Sequence, residues 1–327
     1  ALGCEKLTNS NKPGVKELMK IAGVKSVDTM SIGFSLGPRI NAVGRLADSY
    51  TALELLLETS ERRAKFLAEQ LNAANSRRQH LQEQVTQEAI ELLPENIDEH
   101  SILMIGAKGW HPGLVGLVAG KIAESYGKPT LVCVIKDDET CRGSARSVEG
   151  FNIIEAIKSP ECEPLFTKSG GHPFAAGFDF PAANFDILKQ KLNEFALKKT
   201  NGEGIKGVRK IHVDARLQAS EINDKFYQEL ATLAPFGSEN PEPIFLSKGM
   251  QVVKASTVGQ NGKHLKLRLK GAKETDPWID GIAWRRGEEI DNFTEGTKVD
   301  IVYTLSKSEW QGRIALSLTI EDLKIVD

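Results

Sequence analysis

Ser169-Gly170-Gly171-His172-Pro173-Phe174-Ala175-Ala176-Gly177 lies at the middle of the chain, and its reading organises what stands on either side. Two adjacent glycines predict a turn, because a residue without a Cβ enters backbone conformations that others avoid. The small residues that follow allow close backbone packing, and bare glycine amides can approach an anion. A histidine on such a turn can donate to a phosphate oxygen or move a proton. Most Gly-Gly-His triplets are ordinary turns, so the stretch takes its meaning from its surroundings.

Upstream, Ser101–Ile105 predicts a buried strand, Leu114–Tyr126 a helix, Thr130–Ile135 a second strand and Cys141–Ser147 a third, more polar one. Downstream, Phe185, Leu188, Leu192, Phe195 and Leu197 mark a closing amphipathic helix. The alternation predicts an α/β unit over residues 101–200. Before it, Ala64, Leu67, Leu71, Ala74, Leu81, Val85 and Leu92 recur at helical steps behind the candidate N-cap Ser60, and Pro94 ends the run. That is one long helix over roughly 60–92, whose narrow apolar stripe and polar opposite face suit an element bridging two domains. Residues 1–59 hold short helical pieces, including Thr51–Leu57, and a glycine-spotted loop from Gly33 to Gly44. Lys198–Gly207 reads as a flexible linker. Beyond it, over 201–327, the period becomes two. Leu265-Lys266-Leu267-Arg268-Leu269-Lys270 alternates cleanly, Ile279–Trp284, Val299–Leu305 and Ile314–Ile320 follow as strands, and Gln311-Gly312 supplies a hairpin turn. Such strands predict a small barrel or sandwich.

A chain of 327 residues has room for two or three domains with buried cores. With 40% hydrophobic and 26% charged residues it has the balance of a soluble globular protein. No apolar run approaches the ~18 residues that a membrane span needs, and the first residues show no signal-peptide pattern, so the expected setting is the cytoplasm. Four scattered cysteines without a C-x-x-C pair argue against a zinc site or a disulfide framework. A net charge of −2 gives no global attraction to nucleic acid, so phosphate binding has to come from local clusters.

Several such clusters stand out. In Gly37-Pro38-Arg39-Ile40-Asn41-Ala42-Val43-Gly44-Arg45, two arginines with Asn41 on a glycine-bounded loop suit a bidentate anion clamp, or a loop stitched to neighbouring carboxylates. Trp110-His111-Pro112-Gly113 opens a helix, where amides attract anions and an indole offers a stacking face; a satisfied turn histidine is the alternative. Arg142, Ser144 and Arg146 share one face of their strand with only Gly143 and Ala145 between them, which suits an anion better than a core. Gly116–Lys121 imitates a phosphate loop only faintly, since Ile122 stands where Ser or Thr is required. Lys266, Arg268 and Lys270 make a one-sided basic strand, and Trp284-Arg285-Arg286 sets a ring beside two guanidiniums, the combination single-strand grooves use. The same cations equally suit the wet face of a half-buried strand, and Trp278, Trp284 and Trp310 suit a core.

In this order, Arg39-Ile40-Asn41-Ala42-Val43-Gly44-Arg45, Trp110–Gly116, Arg142-Gly143-Ser144-Ala145-Arg146-Ser147 and Gly170–Gly177 resemble the C-terminal part of the RecJ family, single-strand-specific DNA exonucleases of the DHH phosphoesterase superfamily. Leu233–Pro243 resembles the signature ahead of that family's oligonucleotide-binding barrel. The resemblance covers nearly the whole chain. It implies an α/β plus β architecture: a remnant of the DHH domain (1–59), a long connecting helix (60–94), a mixed-sheet DHH-associated α/β domain (95–200) and a C-terminal OB-like β-barrel (201–327). The family's metal ligands are the departure. The sequence has no Asp-His-His and no Asp-x-Asp, and its start resembles the region after the last metal-ligand aspartate, so it is expected to be a piece of a longer protein.

The resemblance further implies 5′→3′ hydrolysis of single-stranded DNA in repair and recombination, with Mn2+ or Mg2+ in the full-length enzyme and none bound by this piece, which binds the strand without hydrolysing it. His172, with Gly170 and Gly171, is expected at the scissile phosphate. Arg39, Asn41, Arg45, His111, Ser144 and Arg146 are expected around the 5′-terminal phosphate, and Lys266, Arg268, Lys270, Trp284, Arg285 and Arg286 along the strand. Single-strand-binding protein and helicases are the expected partners, with no membrane. The alternatives are a non-catalytic single-strand-binding module, in which the Gly-Gly-His turn is structural, and a DHH-type phosphoesterase for oligonucleotides or nucleotides. An alanyl-tRNA-type editing domain would want clustered His and Cys ligands that are absent.

Overall fold

The structure, a computed structural model, describes residues 2–46, 49–206, 211–237, 239–271, 273, 275–310 and 313–326. It forms two compact units, Leu2–Arg209 and Lys210–Asp327.

The first unit opens with helices α1 (Leu2–Thr8), α2 (Pro13–Ile21), α3 (Thr29–Ser31), a π-helical turn Ile32–Leu36, α4 (Gly37–Leu46), α5 (Tyr50–Leu57) and α6 (Glu61–Glu91). The expected long helix is therefore present. The stretch from Gly33 to Gly44, expected as a loop, is helical. Leu36, Ala42 and Val43 are buried there, and that burial outweighs the cost of about 1 kcal/mol that glycine carries inside a helix. The apolar stripe of α6 serves two cores. Ala64, Leu67, Ala68 and Leu71 pack with α2 and α5, while Val85 and Ala89 pack against the next layer.

That layer is a five-stranded sheet of β1 (Leu103–Ala107), β2 (Thr130–Ile135), β3 (Thr140–Arg146), β4 (Lys168–His172) and β5 (Ala175–Pro181), in the order β1-β2-β3-β5-β4. Only β1 and β2 are parallel, joined through α7 (Val115–Tyr126); the other pairs are antiparallel. Helices α8 (Ile153–Ile157) and α9 (Phe185–Lys199) belong with the core on one face, and α7 covers β2 and β3 on the other. The Gly-Gly-His stretch is not the expected turn. Gly170, Gly171 and His172 are extended in edge strand β4, and the reversal falls at Pro173 and Phe174. After α9, Gly204 and Ile205 donate backbone bonds to the hydroxyls of Thr200 and Ser101. This part of the expected linker is thus tied to the α/β layer.

The second unit contains β6 (Ala215–Arg216), α10 (Asp224–Ala231), β7 (Phe245–Val258), β8 (His264–Lys270), β9 (Trp278–Ala283), β10 (Lys298–Trp310) and β11 (Arg313–Val326). Strands β7, β8 and β9 form a meander, β9 pairs parallel with β11, and β10 pairs with both β11 and β7. The OB-like arrangement is present. Leu265, Leu267 and Leu269 are fully buried, as period two requires, alongside Val299, Ile301 and Tyr303. Strand β7 is an addition to the expected strands, and the expected Gln311-Gly312 turn lies outside the described residues.

Candidate functional site

Strand register builds the first site. Directly opposed residues of an antiparallel pair point to the same face. Arg146 opposes Ala175, and Ala175 opposes His172. Ser144 opposes Gly177, which opposes Gly170; Arg142 opposes Asp179, which opposes Lys168. Three cross-strand rows therefore share the face that α7 covers only over β2 and β3. Arg146 and His172 stand two strand steps apart, roughly 10 Å, on the same side of the sheet. Phe178 and Phe180 point the other way into the core.

The middle row is bare. A Cβ placed on Gly170 or Gly177 would meet nothing within 4 Å. Packing does not demand glycine at either position, and the backbone is open to a ligand. Gly171 and Gly143 differ. A Cβ on Gly171 would fall 2.3 Å from the Ala175 carbonyl oxygen, and one on Gly143 2.5 Å from the Phe178 ring. The floor belongs to a cavity of about 420 Å³ lined by Ser144, Gly170, Gly177, Arg142, Lys168 and Asp179, among others. Arg142 and Asp179 form an ion pair at 3.7 Å across one end.

Arginines gather at the covered edge. Gly113 lets the end of α4 come close, since a Cβ there would stand 2.1 Å from the Arg45 carbonyl. Arg45 Nη1 donates to the Gly113 carbonyl at 3.3 Å, just ahead of α7. One turn on, a Cβ at Gly116 would lie 3.3 Å from Ser144 Oγ and 3.4 Å from Arg146 Nη2, so the missing side chain makes room for both. Burial and the nearby Arg45 charge lower the proton affinity of Arg146. The same two causes act on Arg78 of α6, a residue that nothing in the local sequence marks. It joins this group only through the packing of α4 and α6.

Other expected residues are placed differently. Arg39 is drawn away from the rows: Nε donates to Asn72 Oδ1 at 3.0 Å and Nη1 to the Ser35 carbonyl at 2.7 Å. Asn41 is exposed beside a separate cavity of about 610 Å³ that also touches Arg45. His111 Nδ1 accepts from the Gly113 amide, as a turn histidine does. Trp110 is buried, its Nε1 donating to Glu88 at 2.7 Å, so it offers no stacking face.

In the second unit, Lys266, Arg268 and Lys270 line the outer face of β8, opposite the outward residues of β9. Trp278 and Trp284 bracket that surface at 63% and 55% exposure, so neither is core. Trp284 meets the His264 ring edge-to-face, with centroids 4.7 Å apart. Asp280 sits within the ridge, paired with Lys266 at 3.0 Å and Arg268 at 2.8 Å. Its bonds to Arg268, and then Lys266, hold its carboxyl below the usual range despite burial. Arg286 is occupied by Glu289 at 2.6 Å and Asp322 at 2.9 Å, whereas Arg285 is exposed. The Trp310 side chain lies outside the described residues. Among the described residues no three His, Cys, Asp or Glu side chains form a group able to hold a metal ion. No helix among the described residues is long and apolar enough to cross a membrane.

Residues 99–198 match the DHHA1 domain and residues 213–322 the RecJ OB domain. Over 327 residues the chain is 31% identical to the single-stranded-DNA-specific exonuclease RecJ of Bacillus subtilis, covering 99% of this chain and 41% of that protein. It is 30% identical to RecJ of Thermus thermophilus, covering 98% and 44%. The crystal structure of RecJ in complex with Mn2+ from Thermus thermophilus superposes with a TM-score of 0.82 at 29% identity, over 99% of this chain and 46% of that one. The chain spans about half the length of the relatives it matches. The chain thus carries a DHHA1 domain followed by a RecJ OB domain and is similar over nearly its whole length to part of the RecJ exonucleases.

Proposed function

We propose that this chain is the strand-binding portion of a metal-dependent 5′→3′ single-stranded-DNA exonuclease, and that alone it binds the strand without hydrolysing it. The carrying observation is the alignment of Arg146, Ser144 and His172 on one sheet face above the bare backbone of Gly170 and Gly177. Arg146, Ser144 and Arg45 hold the 5′-terminal phosphate. Gly170 and Gly177 let the strand approach the sheet, and His172 stands at the following linkage. Holding the end this way would register the first phosphodiester and confine cleavage to it. In the OB part, Trp284 and Trp278 stack bases while Lys270, Arg285 and the shared Lys266–Arg268 ridge follow the phosphates. Mn2+ or Mg2+ would supply Lewis-acid chemistry in the whole enzyme. The names and metal-bound structures of the relatives support this assignment. Single-strand-binding protein and helicases, which would deliver such a strand, are the partners that belong with it.

Fluorescence anisotropy with a dT 12-mer tests the reading. Tighter binding of the 5′-phosphorylated strand than of its 5′-hydroxyl counterpart is expected, with loss of that preference in Arg146→Ala. Indifference to the phosphate together with strong salt dependence would favour a module that binds only through the OB surface.

A further inference from the structure

Arg78 lies on α6, remote in sequence from every motif, yet its guanidinium is the least explained polar group in the first unit. Nη2 donates to Asn75 Oδ1 at 2.9 Å and Nη1 to Gln82 Oε1 at 3.1 Å. Both acceptors are neutral amides, so they orient the group without answering its charge. Its Nε is buried with no hydrogen-bond partner. Arg45 is close enough to disfavour the charged form of both Arg78 and Arg146, after burial. Among the described residues Arg45 Nη1 meets a carbonyl, as does Arg146 Nη1, which donates to Ala145 at 2.8 Å. Among the described residues none of the three forms an ion pair with a carboxylate. Gathering guanidiniums at a partly buried place without a counter-charge costs free energy. Unsatisfied buried donors in a native fold call for a partner.

We infer that Arg78 is a specificity-determining residue that, with Arg45 and Arg146, completes a three-guanidinium receptor for a terminal phosphomonoester. This rests on the proposed 5′-phosphate site and deepens it. A terminal phosphate carries close to two negative charges near neutral pH and three equatorial oxygens, whereas an internal phosphodiester carries one charge. Guanidiniums left without a carboxylate match the first. Asn75 and Gln82 hold Arg78 in position, so its ordering entropy is met by the fold and not by the ligand.

The test compares wild type, Arg78→Gln, Arg78→Lys and Arg146→Ala for binding of 5′-phosphorylated and 5′-hydroxyl dT 12-mers, with melting temperature followed against added inorganic phosphate. Arg78→Gln should lose about tenfold of the preference for the phosphorylated strand and keep its affinity for the hydroxyl strand. Its melting temperature should also cease to rise with phosphate. Full preference in Arg78→Gln beside lost preference in Arg146→Ala overturns the inference and leaves the proposed site standing. Full preference in both variants overturns the site itself. If Arg78→Gln does not fold, Arg78→Lys decides. It keeps the charge but not the forked reach, so preference and phosphate response equal to wild type would refute the role.

Discussion

Substituting Gly177 by Ala separates a glycine kept for a ligand from one kept for packing. Gly177 opposes Ser144 and Gly170 in the middle row, and a Cβ there meets nothing within 4 Å. Alanine should therefore fold without strain. Removing backbone freedom from the unfolded chain stabilises by about 0.4–1 kcal/mol, a rise of roughly 1–4 °C for a unit of this size. The added methyl stands on the floor where the phosphate is proposed to approach. Displacing the anion from one charge-assisted backbone contact costs about 1.5–3 kcal/mol, or on the order of 10- to 150-fold in affinity. Gly143, one register step away on β3, supplies the control. A Cβ there would stand 2.5 Å from both the Phe178 ring and the Val132 carbonyl oxygen. Gly143→Ala should then destabilise by about 1–3 kcal/mol, as overpacking does. Differential scanning fluorimetry reads the stability and anisotropy with the 5′-phosphorylated 12-mer reads the binding. A Gly177→Ala protein that binds as tightly as wild type would refute the reasoning that the bare row is a phosphate floor.

Two predictions concern the OB surface. Trp284→Ala should leave the melting temperature within about 2 °C while weakening binding of the unphosphorylated 12-mer by roughly 5- to 150-fold, the worth of one stacked base at ~1–3 kcal/mol; unchanged binding in the anisotropy assay would remove the ring from the groove. Asp280 has its carboxyl held low by Arg268 and Lys266, so it contributes stability above its unfolded value near 3.8, lost as pH falls through the lower folded one. Asp280→Asn should flatten that acid-side loss in melts below about pH 4. It also frees the two cations, so single-strand binding should strengthen and the slope of log affinity against log salt should steepen by up to about 0.7 per phosphate gained.

What was legible in the amino-acid order was everything with a short period. Leu265, Leu267 and Leu269 declared a half-buried strand because β-structure alternates every residue. The stripe from Ala64 to Val85 declared α6 because helical faces recur within a turn. The shared face of Arg142, Ser144 and Arg146 followed from the same alternation. Glycines mislead in both directions. Gly170-Gly171 reads locally as a turn and Gly33–Gly44 as a loop, yet pairing with β5 extends the first and burial of Leu36, Ala42 and Val43 coils the second. Glycine contributes no local preference, so distant partners decide for it.

Tertiary structure alone brought Arg45 of α4 near Arg78 of α6 and near Arg146 of β3, took Arg39 to Asn72, and buried Trp110 against Glu88. Local sequence sets which face of an element a side chain occupies. Which faces then meet is set by packing between elements dozens of residues apart, a non-local term that no short window contains.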